Sequence, residues 1–302
     1  MLAGDRPDRA LYDHLNSYTG EDGSDGVVRI AAANLNAKHA VLSIHGAVAG
    51  AVVDALSLTL LQGPRSAFKL IADAAHSGSA HGILQSAAAA TIEAILRCLQ
   101  VRSAADYASL CNAFDGENAQ RDANKVELDP AGLFAPRVHI HDPRSLLIVR
   151  LSDEAGEPLT GAGFLFTAGA QASPDLLPDD FMIDRQANSK NRSTISLFLN
   201  HALLAGDARV ADPGNSRKTL RNAVPSHRPY GANVQPTDLG GLVHHALAKS
   251  AASDDLFTML APHQTTVLDV VLPRKIHEGV FRLTQKLLPE DFSTPVPGAV
   301  IG

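Results

Sequence analysis

Only two cysteines occur in the 302 residues, Cys98 and Cys111. Two thiols make no disulfide framework and their spacing fits no metal site, so both read as small buried apolar residues. Nor is there a surplus of positive charge. The formal net charge of −6 excludes the electrostatic footprint of a nucleic-acid binder or of an anionic-membrane binder. No apolar run reaches transmembrane length, and Asp5 and Asp8 stand where a signal peptide would have its apolar core. The chain therefore reads as soluble, cytoplasmic or exported by a route that needs no signal peptide. Hydrophobic residues at 45% and charged residues at 19% place it among folded proteins, with length enough for two ordinary domains. Thirteen histidines make a metal site a question to be asked before it is dismissed.

The most informative stretch is Gly23-Ser24-Asp25-Gly26-Val27-Val28-Arg29-Ile30, an acid between two glycines followed by an apolar run. Glycines there allow a tight turn that presents the Asp25 carboxylate at a sheet edge instead of burying it. Fifty-one positions on, Ala75-His76-Ser77-Gly78 follows another short apolar run, Ala67 to Ile71. An acid on one turn and a histidine on a later one, both beside strands, form the Asp and His part of a hydrolytic triad.

Coarse periodicity divides the chain. Met1 to Gly4 reads as the end of a strand, and Ala10 to Leu15 as a short helical piece. Val27 to Asn36 and His39 to Ile44 read as strands, while Ala47 to Leu61 is helix or buried turn. Gly82 to Val101 carries apolar residues at three- and four-residue steps, predicting about five helical turns. Ala104 to Phe114 extends the helical region. Asp115 to Lys125 is polar and turn-rich and reads as a linker. Beyond it come strand-like runs at 137–141, 146–151, 163–167, 194–199, 265–272 and 279–283, with His244 to Lys249 and Asp254 to Leu260 helical. The expected organisation is residues 1–115 as one domain, 116–135 as linker and 136–302 as an antiparallel β-sandwich.

Several of these segments resemble the C-terminal portion of bacterial α/β-hydrolase esterases and lipases, including phospholipase-like members related to type VI secretion lipase effectors. The resemblance rests on Gly23 to Arg29 with Ala33-Asn34-Leu35, on His76-Ser77-Gly78 with Gly82-Ile83, and on Asp184-Arg185-Gln186-Ala187-Asn188. It continues in Gln264-Thr265-Thr266 and Val280-Phe281, so it spans about residues 16 to 284. It implies an α/β-hydrolase sheet followed by a β-sandwich, with Asp25 as triad acid and His76 as general base. A lipid or other ester would be the substrate, a membrane surface a contact, and no cofactor or metal is implied. Such enzymes carry the serine in Gly-x-Ser-x-Gly before the acid. That motif is absent from these 302 residues. The resemblance therefore implies an upstream polypeptide carrying the nucleophile, and a chain inactive by itself.

Each signal has a plainer reading. Asp25 between glycines serves equally as a turn former. His81 competes with His76, but at a helix start the dipole disfavours its protonation, so it is the poorer base. Ser24, Ser77 and Ser79 adjoin the acid or base in sequence and lack a strained elbow. His139 and His141 share one face of a strand, at a spacing zinc uses, with Asp142 and Asp153 as the near candidates for a third ligand. Two histidines on a solvent-facing sheet is the competing reading. His244 and His245 point apart on a helix. Asp184 to Asn188 stitches a loop. The competing function is a non-catalytic module in which residues 136–302 bind a partner or membrane.

Overall fold

The computed structural model describes residues 1–6, 23–44, 56–76, 82–84, 88–129, 137–235, 242–244, 247–248 and 256–276. The expected strand at 279–283, the short helix at 10–15 and His81 lie outside them. In chain order the elements begin with β1 (Leu2–Gly4), α1 (Ile30–Ala33), β2 (Lys38–Ile44), β3 (Leu56–Gln62) and β4 (Lys69–Ile71). Two helices follow, α2 (Ala88–Leu99) and α3 (Ala104–Ala123). The strands β5 (Val126–Asp129), β6 (Arg137–Ile140), β7 (Arg144–Asp153), β8 (Gly163–Ala168), β9 (Met182–Ala187) and β10 (Thr194–Asn200) lead to α4 (His201–Ala205). The remainder is β11 (Val210–Asp212), β12 (Asn215–Arg221), β13 (Tyr230–Gln235), β14 (Leu242–His244), β15 (Leu247–Ala248), β16 (Thr265–Leu272) and β17 (Arg274–Ile276).

A six-stranded sheet in the order β3-β2-β16-β7-β10-β9 organises the molecule. It is mixed: β16 runs parallel to both β2 and β7, and the outer pairings are antiparallel. This corrects the expectation of a purely antiparallel sandwich. One face buries Leu147, Val149, Leu151, Leu197, Leu199, Leu268 and Val270 against Phe164, Phe166, Tyr230 and Val234 of the three-stranded sheet β15-β13-β8. Burial of each such side chain contributes about 1.5–3 kcal/mol. The sheet also takes β2 and β3 from before the expected linker and the other four strands from after it, so the division at 116–135 does not separate the strands of one sheet.

The expected linker itself is helical as far as Ala123. Ser103 caps α3 by accepting from the Asp106 N–H, and the polar residues that suggested a linker lie at helical spacing with partners far off in sequence. Glu117 binds Arg97 and Lys69, Asn118 bonds the backbone of Phe68 and Leu70, Arg121 reaches Asp5, and Asp122 reaches His263. Leu110, Cys111 and Phe114 form the buried stripe, against Ala67, Ile71, Ala74 and Ala94. Cys98 is exposed, contrary to expectation.

The periodicity of α2 is helical, but its orientation reverses the usual pattern. Thr91 and Ala94 are buried, whereas Ile92, Ile95, Leu96 and Leu99 are exposed. Of the expected helix 244–249, His244 ends the strand β14 and residues 247–248 form β15, and within the expected helix 254–260 residues 256–259 form a single 3₁₀ turn. Val27 to Arg29 is loop and Ile30 to Ala33 a helical turn where a strand was expected, since the alanine run has little to gain from a pleated surface. Among the described residues no helix is long and apolar enough to cross a membrane.

Candidate functional site

A separate parallel pair, β1 with β4, carries the site. Its register sets Gly4 opposite Ile71, so both strands end at the same edge. Gly4 tolerates no side chain there: a Cβ would lie 2.1 Å from the Ala74 carbonyl oxygen and 3.3 Å from the Asp25 Cβ. The acid turn is thereby packed directly against the carboxyl ends of the pair, where loops of parallel sheets commonly gather functional groups.

The turn from Gly23 to Ile30 closes on itself. Ile30 N–H donates to the Gly23 carbonyl (2.9 Å), and Asp25 N–H to that of Val28 (3.1 Å). Gly23 and Gly26 hold φ of +85° and +97°, the left-handed region that favours glycine. Asp25 uses one carboxylate oxygen inside the turn, accepting from Val28 N–H (2.8 Å) and Val27 N–H (3.1 Å). Its other oxygen, Oδ2, lies 3.1 Å from Nδ1 of His76. A backbone bond from His76 N–H to the Asp25 carbonyl (2.7 Å) ties the two turns together. Thus the two residues singled out in the sequence meet, with Asp25 12% and His76 46% exposed. Among the described residues Nε2 of His76 has no hydrogen-bond partner.

Contact with a carboxylate does not by itself distinguish His76. His39 meets Asp269 (2.8 Å), His141 meets Glu127 (2.7 Å) and His263 meets Asp122 (2.8 Å). Asp269 is already clamped by Arg150 through two hydrogen bonds, so its charge is largely neutralised by guanidinium. His141 and His263 are buried. Only the Asp25–His76 pair among these combines a carboxylate bonded otherwise to backbone N–H groups with an imidazole open to solvent.

His139 and His141 lie with ring centroids 6.3 Å apart, but His141 is buried rather than on a solvent face. Of the third ligands considered, Asp142 is engaged by Arg221 and Asn200, and Asp153 accepts from the Ala155 and Glu157 N–H groups. Among the described residues no group of three or more His, Cys, Asp or Glu is disposed to hold a metal ion.

Sequence reasoning gave no role to Arg29, although it belongs to the acid-turn motif. Its guanidinium lies over the Phe198 ring (4.4 Å) and donates to Asp184 (2.5 Å). That hydrogen bond, aided by one from Gln186, holds the Asp184 carboxyl below the usual carboxylate range. The Asp184–Gln186 segment therefore anchors the acid turn to edge strand β9 rather than merely stitching its own loop. An open groove of about 350 Å³ runs between Val27, Val28 and Gln186. Val27 and Val28 stand exposed beside Asp25 and give its surroundings an apolar character.

A second group of titratable residues surrounds His201. Burial, then the neighbouring charges of His263 and Lys38, pull His201 down to about 4, while Asp122 opposes them. In the unfolded chain its pKa is near 6.5, so the folded value is the lower one. The associated stability is present above pH 6.5 and is lost as pH falls through 4, by about 3 kcal/mol at most. Chemical denaturation at pH 7 and pH 4 is expected to show that the wild-type loss exceeds the loss in His201→Gln. Equal losses would count against the assignment.

No protein-family model matches the chain, and no curated protein matches it. Solved structures do resemble it. Phospholipase PlaB from Legionella pneumophila in complex with thio-NAD superposes with a TM-score of 0.79 at 30% sequence identity, over 95% of this chain. Phospholipase PlaB from Legionella pneumophila gives 0.76 at 30% identity, again over 95% of this chain. The chain spans 60% and 59% of the length of those two proteins. Its mixed sheet with few helices is thus an α/β arrangement similar to that of a phospholipase, and this chain has a phospholipase-like relative.

Proposed function

We propose that the chain supplies the acid and base of a serine-type carboxylic ester hydrolase acting on lipids, with residues 1–115 forming part of an α/β-hydrolase domain. The observation that carries this reading is the 3.1 Å contact between Asp25 and the exposed His76 at the ends of β1 and β4. Nε2 of His76 takes the proton from a serine hydroxyl as its oxygen attacks the ester carbonyl, then returns it to the leaving alcohol. Asp25 accepts from Nδ1–H, fixing the tautomer and offsetting the imidazolium charge. Water repeats the sequence to release the acid. The serine and oxyanion-binding N–H groups come from other polypeptide, since no Gly-x-Ser-x-Gly occurs here.

Two features support that reading. Among the described residues β1 and β4 pair only with each other, so each keeps an unpaired edge, and a parallel pair is normally part of a larger covered sheet. The exposed apolar stripe of α2 is a surface that additional chain would bury.

The test joins this chain to the part of the phospholipase that it does not cover. This chain by itself is expected to hydrolyse no fluorogenic phospholipid and to show no serine labelled by a fluorophosphonate. The joined protein is expected to do both, with hydrolysis dependent on His76. Labelling of the chain itself, or hydrolysis that survives His76→Ala, would overturn the reading.

A further inference from the structure

A cavity of about 420 Å³ opens where β2 and β16 begin and β3 ends, beside α3 and the residue that precedes β4, Phe68. Most polar groups around it are satisfied by the fold. Asn36 exchanges hydrogen bonds with Ser66, Asn118 bonds the backbone of Phe68 and Leu70, and Arg65 holds Asp115 and Asn112. Asp122 is taken by His263.

Lys38 is the charged exception, beside Gln264, whose Oε1 is buried without a partner among the described residues. The Lys38 backbone is fixed in the interior of the sheet, paired with Gln62 on one side and Thr266 on the other. The side chain lines the cavity, half-buried, with no hydrogen bond or ion pair among the described residues. Desolvation alone lowers its pKa, with no carboxylate working against it, and its positive charge reaches His201. A partly dehydrated ammonium with no counter-ion is unfavourable unless something supplies one. Gln62, its cross-strand neighbour, lines the same space and brings an uncharged amide to that wall.

We propose that this cavity binds a small polar phosphate ester, with Lys38 as its charge partner and Gln62 as an amide donor. The volume exceeds that of a bare ion and falls within the range of about 300–1,000 Å³ usual for small-molecule sites. The wall is rich in amides, so the body of the ligand is hydroxylated rather than apolar. A lysine ammonium is a point charge suited to a phosphate oxygen, and the Arg65 in the lining is already paired with Asp115.

Isothermal titration of the chain at low ionic strength tests this, with glycerol 3-phosphate, inorganic phosphate and glycerophosphocholine as probes. Saturable binding of the phosphomonoester is expected, weakened about tenfold or more in Lys38→Met and retained in Lys38→Arg. Tighter binding of glycerophosphocholine would identify the source as a lipid headgroup. Tighter binding of glycerol 3-phosphate would identify it as a free metabolite. Gln62→Ala, at an exposed position, gives an independent reading if Lys38→Met does not fold, and weaker binding is expected there too. Equal affinity in wild type and Lys38→Met, unchanged affinity in Gln62→Ala where Lys38→Met does not fold, or no saturable binding of any probe below about 10 mM, would overturn the proposal.

Discussion

Asp25→Asn is expected to lower kcat for phospholipid hydrolysis about 10⁴-fold in the joined protein, equivalent to about 5 kcal/mol of transition-state stabilisation. The reason is tautomeric. An asparagine amide facing Nδ1 can donate, which favours the ring form with its proton on Nε2, where a proton must instead be accepted. The turn itself should survive, because an Asn oxygen still accepts from the Val27 and Val28 N–H groups that Asp25 uses now. Thermal unfolding should therefore move little while turnover collapses. That split separates a catalytic loss from a folding loss. His76→Ala should be at least as severe, and the double variant no worse than His76→Ala, since in the proposed triad Asp25 acts only through the His76 ring. Turnover within tenfold of wild type in Asp25→Asn would remove the basis for the triad reading.

The sequence reads well where geometry depends on local backbone chemistry and poorly where partners are distant. The acid turn was legible because Gly23 and Gly26 mark positive φ and Asp25 sits between them. His76 was legible because it closes a short apolar run, and its meeting with Asp25 follows from two strands ending at one edge. The linker expectation failed because polar density was read as solvent exposure. Glu117, Asn118, Arg121 and Asp122 recur at helical spacing, and each reaches a group 20 to 141 residues away. No local pattern reveals Asp5 or His263 as their partners. The sheet was misread for a similar reason. The parallel alignment of β16 with β2 joins residues more than 220 apart, and a short apolar run looks alike in either direction. Arg29 shows the intermediate case. The motif was visible, but its role depends on Asp184, which enters only when β9 is placed beside β10.

The largest stability effect is expected at the buried ion network around Asp142. Its side chain is 2% exposed and accepts two hydrogen bonds from Arg221 and one from Asn200, with Lys125 at 3.2 Å. Arg221 also reaches Asp207, which Lys125 binds as well, so two cations and two carboxylates hold β6, α4 and β12 together. Burial opposes ionisation of Asp142, but the hydrogen bonds from Arg221 and Asn200 and the nearby cations outweigh it, bringing its pKa down to about 2. Arg221→Met leaves that carboxylate buried with only Lys125 and Asn200, and is expected to cost about 3–5 kcal/mol in chemical denaturation. Asp142→Asn added to Arg221→Met should recover part of the loss, because the stranded charge is then gone. The pH dependence has a definite sign. With a folded pKa below the ordinary 3.8, the contribution of Asp142 is complete above 3.8 and is lost as pH falls through about 2. Asp142→Asn should therefore flatten the acid limb of the stability curve in that window. An Arg221→Met loss below about 1 kcal/mol, as for an exposed pair, would mean that the network is screened by water despite its burial.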